Sequence, residues 1–487
     1  MQDRSRHVRL TTQGRIYPVE VSSDFASMLW TTPVYRFRVP VDDDPQSTQL
    51  KEIVIDVTGS APNFPGPSEG LKEVLRWVFE SDSLKRIETV VEFGAGKLKN
   101  IPFILEEGKT VCAVEFKELS ENRFTRQNLR TCANYGSKFQ KLVFPNPFLS
   151  DRKRFDLALL LNVPPVMPVP AERLYLLDVL HGKLRDGKYL LWVAQKEGAY
   201  KPIRKEGRNA CGDGLWMGVG KFKKTFYRYH RVEELDELMA LYGFSLVRRF
   251  DTADDARLYE KTRYNLFAGL LTADKIRERI PIDDTISNPL STEPRIVRRS
   301  SKTKEVLPNP KSLSVETLYV EKLRGIPPGV ESAEVFHRTV STAISRIFRG
   351  SLKDMEMKVE TDGGVQIIDT IFTNSAREGF FHELRKRIEC SYIIFEMRNI
   401  SGDPSNTELQ QINGRLTPET THVGILVCRA VSNPRAVLSR CKAYLKSHHF
   451  ILVLSDEDVT ELLGLARGGT QDEVSDFMDR KLRKLLI

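Results

Sequence analysis

Apolar and polar positions along the chain alternate between two periods. A β-rich run from Glu88 to Phe93 enters the turn Gly94-Ala95-Gly96, a helical stretch follows through "LKNIPFILEEG", and a second run, Thr110 to Phe116, carries Glu115 at its end. Farther on, Phe155 to Leu161 reads as a buried strand ending at Asn162. A helix starts near Pro170 with Leu174, Leu177 and Leu180 on its apolar face, and a turn at Gly187 leads to a strand from Tyr189 to Ala194. The segment "TFYRYHRVEELDELMALYGFSLVRRF" supplies a closing helix and strands. Apolar strand-like runs alternating with helical stretches predict an α/β fold.

Between about Ile282 and Ser314 the period disappears into a Pro-, Ser- and charge-rich stretch with the character of a linker. The alternation then resumes. A helix from about Ser332 places Val335, Phe336, Val340, Ile344, Ile347 and Phe348 at three- and four-residue spacing. Next come a strand, a turn at Gly363-Gly364, and a strand holding Asp369 among Ile367, Ile368, Ile371 and Phe372. The amphipathic "SAREGFFHELRKRIE" precedes the strand "YIIFEMRN". The expected organisation is a β-rich addition over 1–70 with no assignable role, an α/β domain over 71–280, a basic linker over 281–314, and a smaller α/β domain over 315–487.

Composition narrows the class. The 487 residues are 40% hydrophobic and 29% charged, with no apolar run long enough to span a bilayer. The amino terminus has basic residues but no apolar segment behind them, so a cytoplasmic location is expected. Six scattered cysteines with no C-x-x-C pair predict reduced, mostly buried thiols rather than zinc or a disulfide framework. Net charge is +9, and Lys and Arg concentrate in "RKEGRNACGDGLWMGVGKFKKTFYRYHR" and "RIVRRSSKTK". That pattern fits a nucleic-acid partner or a plain solvated surface. Lys205, Arg208, Lys221, Lys223 and Lys224 are the candidate phosphate contacts, while Tyr227, Tyr229 and His230 read as packing residues.

Glycines in the turn after the first strand allow close backbone approach to a ligand, and an acid ending the next strand can accept hydrogen bonds from a ribose. Glu92, Gly94 and Gly96 with Glu115 resemble motif I and the motif II acid of class I S-adenosylmethionine-dependent methyltransferases, departing from the fuller glycine run at Lys97 and Leu98. The resemblance covers about residues 70 to 265. It implies a Rossmann-like fold and S-adenosylmethionine as cofactor, held by Glu92, Gly94, Gly96, Glu115 and Asn162. Asn162-Val163-Pro164-Pro165 does not match the N-P-P-aromatic motif of amino-directed DNA methyltransferases, because Val163 intervenes and Val166 replaces the ring. With Glu172 and Arg173, the segment is closer to strand ends of methyltransferase-like proteins associated with DNA modification. Asn162 fits either a reaction-site residue or a strand cap.

In the rear block, Asp369 inside one apolar strand and Glu396 in another are costly to bury without a cation or donors. On neighbouring strands they could share a hard divalent ion, Mg²⁺ or Mn²⁺. The D…E-x-(K/R)-N arrangement resembles the PD-(D/E)xK restriction endonuclease-like superfamily over nearly all of residues 315 to 487. By that resemblance Asp369 and Glu396 are metal ligands, Arg398 stands where lysine is usual, Gln411 supports the site, and Arg429 braces it or touches the backbone. A guanidinium stays protonated, so Arg398 can orient water and stabilise charge but cannot shift a proton. Both a working arginine variant and a degenerate, binding-only site remain open. So does a structural Glu396–Arg398 ion pair, against which Asp369 counts.

Together the two resemblances imply a metal-dependent nuclease acting on nucleic acid, DNA more than RNA, fused to an S-adenosylmethionine-binding methyltransferase-like domain in restriction or antiviral defence. The alternative is an S-adenosylmethionine-binding regulatory or scaffold protein whose degenerate nuclease site binds without cutting. No membrane partner is expected. Cutting both strands of a duplex calls for a homodimer or partner defence proteins.

Overall fold

The computed structural model describes residues 20–22, 34–40, 49–60, 66–116, 123–196, 210–211, 214–219, 223–271, 282–283, 296–298, 314–361, 366–388, 390–418, 420–468 and 471–487. The chain divides into two compact units, Met1–Leu313 and Ser314–Ile487. Among the described residues no helix is long and apolar enough to cross a membrane. Cys112, Cys132, Cys390, Cys428 and Cys441 are free and buried.

The front unit is Rossmann-like. Thr89–Phe93, Thr110–Glu115, Phe139–Val143, Phe155–Leu161 and Leu184–Ala194 pair in parallel, with Thr89–Phe93 between Phe155–Leu161 and Thr110–Glu115. Asp255–Lys261 and Phe244–Asp251 finish the seven-stranded sheet as an antiparallel hairpin. Phe155–Leu161 is buried at every position but the last, as a strand covered on both faces must be. One apolar cluster joins Val74, Leu75 and Val78 of helix Glu69–Glu80 with Ile101 and Ile104 of helix Ile101–Glu106 and with Val90, Leu157, Leu191 and Leu258 of the sheet. Gly187 does not separate helix from strand. It lies inside Leu184–Ala194 in a left-handed conformation, where the register with Phe155–Leu161 shifts, as an irregularity of this kind requires.

A second sheet of the front unit is assembled from distant segments. Val34–Pro40 and Gln49–Asp56 form its centre, joined by the hairpin Gly214–Val219 and Lys223–Tyr227 out of the basic stretch. Ile282–Asp283 pairs with Glu20–Ser22 and Ile296–Arg298 with Gln49–Asp56, so parts of the expected linker are strands of this sheet. Lys205, Arg208 and Lys221 lie outside the described residues, as does the Gly363-Gly364 turn.

In the rear unit, Leu352–Thr361, Gln366–Asn374 and Tyr392–Arg398 form an antiparallel meander, and Val423–Cys428 and Phe450–Ser455 extend it in parallel. Helix Ala333–Ile347 buries Phe336, Val340, Ile344 and Ile347, but Val335 faces outward. Asn374 pins the meander: Nδ2 donates to Phe381 O (2.9 Å) and Cys390 O (3.1 Å), and Oδ1 accepts from Ala376 N.

Candidate functional sites

The front sheet reverses its winding between Thr89–Phe93 and Phe155–Leu161, and ligands of such folds sit beyond the carboxyl ends of strands at that switch point. A cavity of about 450 Å³ lies there, lined by Glu92, Gly94, Ala95, Gly96, Glu115, Asn162 and Gln195, within the range of small-molecule sites. Gly94 and Gly96 have φ of +69° and +56°, and a Cβ on Gly94 would fall 2.5 Å from Val163 Cγ2. The turn is therefore glycine both for its left-handed backbone and for the approach of the neighbouring strand end.

Gly94 N and Ala95 N donate to Val114 O, and Gly96 N donates to Glu115 Oε2 at 2.5 Å. Glu115 Oε1 accepts from Phe116 N, so this acid is fixed at its strand end. Glu92 is fully buried. Asn100 Nδ2 donates to its Oε1 (2.6 Å) while Oε2 has no hydrogen-bond partner. Burial pushes the Glu92 carboxyl up to about 7, against the lowering effect of Asn100. Asn162, at φ +60°, accepts from Gln195 N through Oδ1 (3.0 Å), which gives it a strand-bracing job as well as a place in the cavity wall.

A further part of the lining comes from the second sheet, Tyr35, Met217, Thr225 and Tyr227, and from Thr58 in the turn Val57–Ser60 after Gln49–Asp56. Tyr35 hydroxyl donates to Glu172 Oε2 (2.8 Å), tying that sheet to helix Pro170–Lys183. Burial pushes the Glu172 carboxyl up to about 8, and its Oε1 has no hydrogen-bond partner. Arg173 Nη1 donates to Met167 O at 2.5 Å. Burial holds the His230 imidazole well below its ordinary pKa, assisted by Arg228 and Arg173, so it packs as a neutral ring. Tyr227 hydroxyl donates to Gln195 O.

In the rear unit, Asp369, Glu396, Arg398 and Gln411 come together. The backbone register of Gln366–Asn374 against Tyr392–Arg398 runs as far as Thr370 opposite Phe395. Beyond it the carboxylates bridge the strands: Asp369 Oδ2 accepts from Met397 N (2.9 Å), and Asp369 N lies 3.4 Å from Glu396 Oε1. Arg398 reaches Asp369 at 3.4 Å and Glu396 at 3.3 Å, and its Nη2 donates to Gln411 Oε1 at 2.5 Å. Phe395 and Met397 enter the core, and Glu396 between them is equally buried, so this strand is covered on both faces. Arg415 completes the cluster, its Nη1 against Glu396 Oε1. Nothing in the sequence spacing marked it. Arg429 and Asn399 lie apart from this chemistry. Arg429 holds Leu323 O and Ile326 O and pairs with Asp456, while Asn399 Nδ2 donates to Pro327 O and Gly329 O.

The donor set does not fit a divalent ion as arranged. Two carboxylates carry two negative charges, and two guanidiniums in contact with them already cancel both. Among the described residues, no group of three or more His, Cys, Asp or Glu side chains is placed to hold a metal ion. The expected sharing of Mg²⁺ or Mn²⁺ by Asp369 and Glu396 is not supported by this arrangement: the acids meet, with Arg398 against both and Arg415 against Glu396.

No family model and no curated protein matches the chain. Similar solved structures include the 1,6-didemethyltoxoflavin-N1-methyltransferase of Burkholderia thailandensis, crystallised with S-adenosylhomocysteine, at 18% identity over 47% of this chain and 96% of that one, TM-score 0.28. The CcbJ methyltransferase of Streptomyces caelestis is 14% identical over 42% of this chain and 96% of that one, TM-score 0.32. The magnesium protoporphyrin IX methyltransferase of Synechocystis PCC 6803 is 15% identical over 40% and 84%, TM-score 0.30. Likeness of this size adds nothing to the weight of the sheet order and the cavity.

Proposed function

We propose that the front unit binds S-adenosylmethionine as a methyltransferase-like module. The observation that carries this reading is the convergence of Glu92, Gly94, Gly96, Glu115 and Asn162 on one cavity at the switch point of the sheet. When bound, the cofactor supplies an electrophilic methyl group on a sulfonium. In this reading Glu115 takes ribose hydroxyls, and the glycine turn lets the backbone lie close to the ligand. Glu92 Oε2 and Asn100 Oδ1, buried oxygens of the cavity lining that lack a hydrogen bond, are further acceptors for ligand donors. An acceptor substrate would meet the wall built by Tyr35, Met217 and Tyr227.

Calorimetric titration with S-adenosylmethionine and S-adenosylhomocysteine tests this reading. The wild type binds, and Glu115→Ala weakens binding by about 10- to 100-fold, the loss of a charge-assisted hydrogen bond or two. Folded wild-type protein that binds neither compound overturns it. Labelled methyl transfer to DNA, RNA or protein then separates a methyltransferase from a regulatory binding module.

For the rear unit the proposal is an endonuclease-like module facing nucleic acid, DNA before RNA, in a defence setting. It is supported by the antiparallel meander with two parallel strands and by the meeting of Asp369, Glu396, Arg398 and Gln411. Arg415 weighs against cutting in the arrangement described. Incubation with DNA and RNA in Mg²⁺ decides: cleavage lost in Asp369→Ala supports a nuclease, and retention on the oligonucleotide without new ends supports the binding-only alternative.

A further inference from the structure

The misfit between the rear carboxylates and a divalent ion has a specific author in Arg415. Glu396 is fully buried, and a carboxylate in that position needs compensating charge. Arg398 is shared between Asp369 and Glu396, so it compensates one charge of the two. The other is met by Arg415, which lies just beyond helix Asn406–Asn413, next to Gly414, the residue that caps that helix. The same helix carries Gln411 to Arg398. Arg415 touches Glu396 Oε1, the oxygen that also faces Asp369 N, while Glu396 Oε2 lies 3.3 Å from Arg398 Nη2 without a hydrogen bond. The His337 imidazole also lies near the pair, its Nδ1 3.8 Å from Asp369 Oδ1.

We propose that Arg415 is an internal counter-cation standing in the place of a divalent ion, so that the rear unit binds no such ion while Arg415 stays paired with Glu396. Removing the guanidinium leaves two acids against Arg398 alone, a net negative, oxygen-lined space of the kind that hard divalent ions occupy. The inference rests on the rear cluster and is independent of cofactor binding by the front unit. Its readout is ion binding, not cleavage, so failure of the nuclease reading leaves it standing or falling by itself.

The test uses the full chain and Mn²⁺, followed by electron paramagnetic resonance and by thermal unfolding. Wild type takes up no specific Mn²⁺ at 1 mM and its unfolding temperature does not move. Arg415→Gln and Arg415→Met each bind one Mn²⁺ at least tenfold more tightly than wild type and unfold at a higher temperature with Mn²⁺ than without. Adding Asp369→Asn to either variant abolishes the gain. Specific Mn²⁺ binding by wild type that is lost in Asp369→Asn overturns the proposal, and so do folded Arg415 variants that bind none. Arg415 variants that stay unfolded even with Mn²⁺ also overturn it, because an ion in that position should restore the missing charge.

Discussion

Glu172→Gln isolates what it costs to hold an acid behind the cavity wall. The group passes from an ordinary value of 4.5 to about 8 on folding, chiefly through burial. A raised carboxyl pKa means that the folded state keeps its proton after the unfolded chain has lost it. The sign follows: stability is full below about pH 4.5, falls as pH rises, and levels off above about pH 8. At about 1.4 kcal/mol per tenfold change, the loss between pH 4.5 and pH 7 is about 3 kcal/mol. Glutamine mimics the protonated acid, still accepts from Tyr35, and has no charge to lose. The variant should match wild type near pH 4.5 and unfold roughly 5 °C higher at pH 7, taking about 1.5 °C per kcal/mol from an unfolding entropy of about 2.1 cal/mol/K per residue over the unit Met1–Leu313. Differential scanning calorimetry across pH 4.5 to 8.5 measures the gap. A difference between variant and wild type that stays flat with pH, or turns against the variant at high pH, would refute the reasoning.

Gly94→Ala forces a Cβ to within 2.5 Å of Val163 at a φ of +69°; it should cost about 1–3 kcal/mol and weaken S-adenosylmethionine binding at least tenfold, read by thermal unfolding and calorimetry. Asn374→Ala strips donors from Phe381 O and Cys390 O, and a loss of about 2–4 kcal/mol is expected in the urea transition of the rear unit. Asp156→Asn touches a group that burial alone would raise but that Arg185 and the Thr89 and Glu88 amides hold at about 2. Its carboxylate stabilises the fold above the ordinary aspartate range and loses that effect as pH falls toward 2, so the variant's deficit should shrink in acid unfolding curves between pH 5 and 2.

Local pattern made the elements readable where burial is continuous or strictly periodic. Phe155–Leu161 and Tyr392–Arg398 are apolar runs with clear ends, and the turn at Gly94 announces itself by the residue type its backbone demands. Leu184–Ala194 was legible only from Tyr189 onward, because the irregularity at Gly187 has the composition of a turn. Val335 shows the limit of counting apolar positions: it keeps helical spacing with its neighbours yet points out of the core. The second sheet of the front unit is legible only as a β-rich front end: Val34–Pro40 and Gln49–Asp56 pair locally, but their further partners, Lys223–Tyr227, Ile282–Asp283 and Ile296–Arg298, lie far away in sequence. At the sites, residue chemistry named Asp369, Glu396 and Arg398, the endonuclease-like resemblance added Gln411, and the four do meet. Which cation neutralises them is a property of space rather than spacing, and Arg415 carries no local signal. Tyr35 carries no local signal either, lying in a segment with no motif.

The pairing of Glu20–Ser22 with Ile282–Asp283, and of Gln49–Asp56 with Ile296–Arg298, also sets a timetable for biogenesis. At ordinary elongation rates of about 5–20 residues per second, the earliest strands emerge many seconds before the segments that cover their flanks. Until residue 298 has left the ribosome, part of that sheet presents bare backbone to its surroundings, the kind of edge that recruits neighbouring chains. A nascent or truncated polypeptide ending short of that point should be the form most prone to clumping.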